Sequence, residues 1–186
     1  MNALLIVDLQ KDFLPGGALA TPEGDKVVAP INEMQDEFDL VVASKDWHPP
    51  DKVQHFQKWP PHCIQNTEGA EFPDNLNREN IAFVFKKGTG KDDDGYSSFE
   101  AVNRDLEAYL KEKGVTKVFI AGLTTEYCVR FTTLDALRRN FDTYVIEDAI
   151  EGVRQEEGDE EKAKKEMAEA GAQLIRAEEI PNILGH

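Results

Sequence analysis

Lys117-Val118-Phe119-Ile120-Ala121-Gly122-Leu123-Thr124-Thr125-Glu126-Tyr127-Cys128 is the stretch whose reading decides the fold. Residues 118–121 form an apolar run of a length suited to a strand buried on both faces. Gly122 interrupts it, and Thr124-Thr125-Glu126 supplies the hydroxyl and acidic side chains that open helices. Tyr127, Phe131, Leu134 and Leu137 then recur at roughly helical spacing over 126–139. The stretch predicts a strand, a turn and a helix, with Cys128 in the first helical turn. Unpaired backbone N–H groups and the helix dipole favour a thiolate there. A cysteine so placed is either a small buried hydrophobe or a nucleophile, and this segment alone leaves both open.

Strands and helices alternate outward from it in both directions. Residues 3–7, 40–43, 81–85 and 143–146 read as strands, with a short last one over 173–175. Residues 26–38, 99–113 and 158–171 read as helices, and Gly114 is well placed to close the second of these. The alternation implies one domain over 1–186. Its class is α/β: a three-layer α/β/α sandwich around a mostly parallel, Rossmann-like sheet of about six strands. Residues 49–80 are rich in proline and aromatics with little periodicity, and loops that long in a compact domain are usually functional. The charged run 156–165 reads as a solvated helix face, and His186 as a solvated terminus.

The totals exclude several classes of function. A formal charge of −15 argues against nucleic acid or an anionic membrane as partner. Two cysteines are too few for a disulfide scaffold and fit a reducing compartment. The first residues lack a basic n-region, and no apolar segment has the length of a membrane span, so the expected location is cytoplasmic. Oligomeric state stays open, a C₂ homo-oligomer being the common default.

Asp8, Asp46, Lys87 and Cys128 each fall at or just beyond the carboxyl end of a different expected strand, the edge where parallel sheets bind ligands. A cysteine nucleophile needs its proton removed and its anion stabilised, which Asp8 and Lys87 could do as base and cation. Asp8 alone also reads as a turn-capping carboxylate. Lys86 rivals Lys87, since strand alternation lets only one of them face the site. Cys63 is the rival nucleophile, but it lies in the aperiodic loop and reads as a packed thiol. Asp46 and His48 share one side of an extended segment, with His55 and His62 close behind in the chain. Such a mixed oxygen and nitrogen set suits zinc, iron(II) or manganese.

Several motifs stand in order along nearly the whole chain. They are Val7-Asp8-Leu9-Gln10-Lys11-Asp12-Phe13 with Gly16-Gly17, Asp46-Trp47-His48-Pro49, and Trp59-Pro60-Pro61-His62-Cys63 with Thr67, Gly69 and Ala70. Lys87-Gly88, Tyr96-Ser97-Ser98-Phe99 and Gly122 followed by Thr125-Glu126-Tyr127-Cys128-Val129 complete the set. Together they resemble the nicotinamidase/pyrazinamidase branch of the isochorismatase-like cysteine hydrolases. The resemblance implies a catalytic triad of Asp8, Lys87 and Cys128. It implies one divalent ion, zinc first with iron or manganese as alternatives, held by Asp46, His48 and His62. The fourth ligand position varies in the family; His55, which precedes Phe56, is the candidate, while Lys52 stands where some relatives carry histidine. Phe13, Trp59 and Tyr96 match the aromatic residues of the family's ring pocket. A cis peptide before Thr124 is implied, aiming the N–H groups of Thr124 and Cys128 at an oxyanion, although relatives often carry alanine at that position. The implied reaction is hydrolysis of nicotinamide to nicotinate and ammonia through a cysteine thioester, in NAD salvage, with pyrazinamide as a further substrate. Two other readings are hydrolysis of another small amide or an isochorismate-like enol ether, and a non-catalytic metal-binding module. The last predicts a missing nucleophile, base or cation, whereas candidates for all three are present.

Overall fold

The computed structural model describes residues 1–185; His186 lies outside the described residues. Six strands, β1 (Asn2–Val7), β2 (Leu40–Asp46), β3 (Ile81–Lys87), β4 (Lys117–Leu123), β5 (Asp142–Glu151) and β6 (Gln173–Ile175), form one sheet. Their order is β3-β2-β1-β4-β5-β6 and every pairing is parallel. The chain builds outward from β1 to β3, returns to place β4 on the other side of β1, and builds outward again. The order therefore reverses between β1 and β4, and in open parallel sheets ligands bind beyond the strand ends at that reversal. Asp8 leaves β1 there, and Cys128 follows β4.

The helices are α1 (Val28–Met34), α2 (Val53–Lys58), α3 (Leu106–Glu112), α4 (Arg130–Arg138), α5 (Asp159–Ala170) and α6 (Ile180–Leu184). Alternation along the strands divides the core in two. Leu4, Ile6, Val41, Phe119 and Ile146 pack with Val28 and Ile31 of α1 and Ile180 of α6. Leu5, Val7, Val42, Ile120 and Val145 pack with Leu106 and Leu110 of α3, Ala136 of α4 and Met167 of α5. Each fully buried Leu, Ile or Val contributes about 1.5–3 kcal/mol, so the layers hold the central strands rigid beneath the site. No helix among the described residues is long and apolar enough to cross a membrane.

Three elements differ from the sequence expectation. The helix expected over 99–113 is α-helical only at Leu106–Glu112, where Asp105 caps it by accepting from Ala108 N–H; Ser98–Glu100 is a separate 3₁₀ turn. The 49–80 loop contains α2, too short for its periodicity to show. Cys128 lies not in the first turn of α4 but in a π-helical turn, Thr125–Val129, just before it. Gly122 takes φ +112°, and a Cβ on it would sit 2.1 Å from Val7 O. Only glycine lets β4 lie that close to β1 where Asp8 departs.

Candidate active site

β-sheet register carries the first pair into place: Asp46 and Lys87 end neighbouring strands and are direct partners in the β2–β3 ladder. Lys87 is fully buried, and its ammonium is ringed by acceptors. Nζ lies 2.7 Å from Asp8 Oδ2 and 2.6 Å from Asp46 Oδ1, and donates to Gly95 O at 2.8 Å and to Cys128 Sγ at 3.3 Å. Lys86 points away and lies over the Trp47 ring at 4.2 Å, which settles the choice between the two lysines. Asp8 adopts φ +43° as it leaves β1, an uncommon conformation for a non-glycine residue. Its N–H donates to Ser44 O, and its Oδ1 accepts from Ser44 Oγ at 2.7 Å.

Burial disfavours charge on each of these groups, and their mutual attractions oppose it. For Lys87, burial pulls the pKa down but Asp46 and Asp8 together hold it well above the ordinary lysine value. Burial raises Asp8 against the pull of Lys87. Burial pushes the Cys128 thiol well up, again against Lys87. The sulfur sits beside a cation and a carboxylate, with burial and Lys87 acting on it in opposite senses. Asp46 ends on the other side: burial pushes it up, but Lys87, His48 and His62 bring it well below the usual carboxylate range.

Three imidazoles stand beside Asp46. Each uses Nδ1 as a donor to a nearby oxygen: His48 to Gly88 O at 2.7 Å, His55 to Asp93 Oδ1 at 2.8 Å and His62 to Pro60 O at 2.7 Å. Each Nε2 is then left with a lone pair. Asp46 Oδ2 lies 3.4 Å from His48 Nε2 and 3.8 Å from His62 Nε2. His55 Nε2 and His62 Nε2 face each other at 3.4 Å, two lone pairs that repel unless a proton or cation lies between them. His48 Nε2 is buried with no hydrogen-bond partner. Burial lowers the His55 pKa to about 4 and lowers that of His62, so both rings are neutral at pH 7 and free to ligate. The three converging imidazoles fit a divalent ion, and Asp46 Oδ2 lies against two of them.

One pocket is lined by Phe13, Asp46, His48, His55, Trp59, His62, Tyr96, Thr124 and Cys128, so ring-pocket, metal and nucleophile candidates share it. The Leu123–Thr124 peptide is cis. Trp59 and Tyr127 meet edge-on at 4.7 Å between ring centroids, and Trp59 Nε1–H donates to Tyr96 Oη at 3.2 Å. Cys63 is buried in the core on the α1 side of the sheet, as a packed thiol.

The chain matches the model described as the isochorismatase domain over residues 2–179. This chain belongs to the isochorismatase family. Within that family it is 39% identical to the nicotinamidase of Escherichia coli (strain K12) over 199 residues, covering 93% of each chain. The solved pyrazinamidase of Pyrococcus horikoshii in complex with zinc is 43% identical, with TM-score 0.85, over 94% of this chain and 98% of that one. An L. infantum protein solved in complex with nicotinate is 32% identical, with TM-score 0.89, over 96% of this chain and 93% of that one. The all-parallel α/β sheet is the isochorismatase-like fold.

Some working parts of the site escaped the sequence reading. Gln10, fully buried, accepts from Asp46 N–H at 2.8 Å and donates to Asp46 O at 2.8 Å and Ala70 O at 2.9 Å, which fixes the Asp46 backbone. Asp93 accepts from His55 Nδ1, from Tyr96 Oη at 2.7 Å and from Lys58. Nothing in Asp92-Asp93-Asp94 separates that residue from a solvated acidic run. Lys52, fully buried, reaches Gly90 O at 2.9 Å and Asp94 Oδ1 at 2.5 Å, so it fastens the 88–95 loop instead of facing the imidazoles.

Proposed function

We propose that this chain is a nicotinamidase, hydrolysing nicotinamide to nicotinate and ammonia, with Asp8, Lys87 and Cys128 as its catalytic residues. The observation that carries the reading is the position of Lys87 Nζ, within 3.3 Å of the sulfur, 2.7 Å of Asp8 and 2.6 Å of Asp46, the carboxylate that faces the Nε2 atoms of His48 and His62. Cys128 and the metal-site residues thus line one pocket, with Asp8 and Lys87 buried directly behind the sulfur. The high similarity to nicotinamidases supports the substrate.

Asp8 takes the Cys128 proton as sulfur attacks the carboxamide carbon, and Lys87 offsets the negative charge passing through the sulfur. The N–H groups of Thr124 and Cys128 hold the oxyanion, a contribution of about 3 kcal/mol per donor at such sites. Asp8 then returns its proton to the departing nitrogen, ammonia leaves, and water cleaves the Cys128 thioester. Asp46, His48, His55 and His62 would hold one divalent ion, zinc first and iron or manganese as alternatives. Such an ion would supply Lewis-acid chemistry at the pocket they share with Cys128. Phe13, Trp59 and Tyr96 confine the ring, and a pocket built for a flat heteroaromatic amide also suits pyrazinamide. The two unpaired cysteines fit a reducing, cytoplasmic setting.

The test is ammonia release from nicotinamide by zinc-loaded protein, with Cys128→Ala as control. Turnover by the wild type and none by the variant is the expected result. An active Cys128→Ala protein would end the covalent scheme.

A further inference from the structure

Asp8 Oδ1 terminates a file of three buried hydroxyls that the scheme above leaves unused. Ser44 Oγ is 2.7 Å from Asp8 Oδ1, Ser98 Oγ is 2.8 Å from Ser44 Oγ, and Thr132 Oγ1 is 3.1 Å from Ser98 Oγ. All three residues have no exposed surface, so bulk water does not compete for these bonds. They come from β2, the Ser98–Glu100 turn and α4, far apart in the chain, so local turn chemistry does not account for the file. Ser98 N–H also donates to Thr132 Oγ1 at 2.9 Å, which ties the turn to the helix.

The direction of the file follows from its end. An ionised carboxylate only accepts, so Ser44 gives its one proton to Asp8 Oδ1. Ser44 Oγ then accepts from Ser98, and Ser98 Oγ accepts from Thr132. All three hydroxyls point toward Asp8, and turning one requires turning the others. On the opposite side of the carboxylate, Oδ2 lies 2.7 Å from Lys87 Nζ and is buried without a directed hydrogen bond.

We propose that Ser44, backed by Ser98 and Thr132, is a positioning residue that occupies Asp8 Oδ1, leaving Oδ2 to take the Cys128 proton and deliver it to the leaving nitrogen. The inference rests on the cysteine-hydrolase reading of the site. In the first step the S–H bond breaks and Oδ2–H forms as sulfur bonds to the carbonyl carbon. In the second, Oδ2–H breaks and N–H forms as the C–N bond opens. Lys87 Nζ touches both Oδ2 and the Cys128 sulfur, whereas a proton on Oδ1 would enter the hydroxyl file at Ser44 and would idle the base.

The experiment uses zinc-loaded full-length protein with two readouts: ammonia release from nicotinamide, and alkylation of Cys128 by iodoacetamide, which needs no substrate. Ser44→Ala lowers kcat about tenfold, the loss of one hydrogen bond to a charged group, with KM changed less than about twofold. Alkylation slows by a similar factor. Ser44→Thr, which keeps the hydroxyl, restores both rates, and Ser98→Ala costs roughly two- to threefold in kcat because only the second member of the file is lost. A Ser44→Ala protein that turns over and alkylates at the wild-type rate overturns the proposal. So does a loss that Ser44→Thr fails to restore while the melting temperature falls, since that is a packing defect. Wild-type protein that releases no ammonia defeats the substrate assignment instead, and the alkylation rates then decide the role of Ser44.

Discussion

Cys63 and Cys128 are both buried, and burial pushes both thiols well above the ordinary value. Their neighbours differ. After burial, the strongest influence on Cys128 is the attraction of Lys87, 3.3 Å away, and its sulfur opens on the aromatic pocket. After burial, the strongest influences on Cys63 are the carboxylates Asp46, Asp12 and Asp8, all of which oppose a thiolate. Cys63 N–H donates to Asp12 Oδ2 at 2.7 Å and its side chain has no exposed surface. Burial by itself thus makes an inert thiol; a cation at contact distance and an open face on the pocket make a nucleophile.

The largest way to break this contrast is to remove the Cys128 sulfur, the proposed nucleophile. Cys128→Ala is expected to lower ammonia release by roughly 10³-fold or more, as removal of a covalent nucleophile commonly does, with an unchanged fold by circular dichroism. Removing the cation is next. Lys87→Met strands two buried carboxylates, so kcat/KM falls roughly 10³-fold, and urea unfolding at pH 7 shows a loss of about 3 kcal/mol. The same substitution brings the iodoacetamide reactivity of Cys128 down toward that of Cys63. In the intact protein, mass spectrometry is expected to find Cys128 alkylated about a hundredfold faster than Cys63, and unfolding in urea to erase the difference.

The segment that holds Cys63 also holds His62, so the contrast extends to the metal site. Asp93→Asn leaves both cysteines in place but weakens the acceptor that orients His55. Zinc affinity, read by competition with a chelating dye, is expected to fall about 10–100-fold, as for other outer partners of ligating histidines. Smallest is Cys63→Ala: turnover within about threefold of wild type and a stability loss of about 1 kcal/mol, from the space left by one buried sulfur. A Cys63→Ala protein with turnover abolished at unchanged stability would reverse the assignment of the two thiols.

Much of this was legible in the chain because it is local. Short apolar runs give the six strands, since a parallel strand covered on both faces has no polar side to alternate. Asp8, Asp46, Lys87 and Cys128 stand where those runs end, and a parallel sheet brings its carboxyl ends to one edge. Helix ends were less legible. Ser97, which accepts from Phe99 N–H and is paired with Glu100 in a capping box, opens a separate 3₁₀ turn, and Asp105 starts the helix afresh six residues beyond the expected start. Apolar spacing continues across such a break, so periodicity does not reveal it.

What the sequence determined by itself is the set of candidate side chains and the edge on which they gather, because composition, order and strand ends are properties of the chain read locally. Only the tertiary structure decided how those side chains meet. Lys87 rather than Lys86 turns inward, His55 joins His48 and His62, Asp93 backs His55, and Ser44 claims one oxygen of Asp8. Each of these depends on the register of neighbouring strands and on hydrogen bonds between residues far apart in sequence. Directions and distances of that kind arise only when the layers pack.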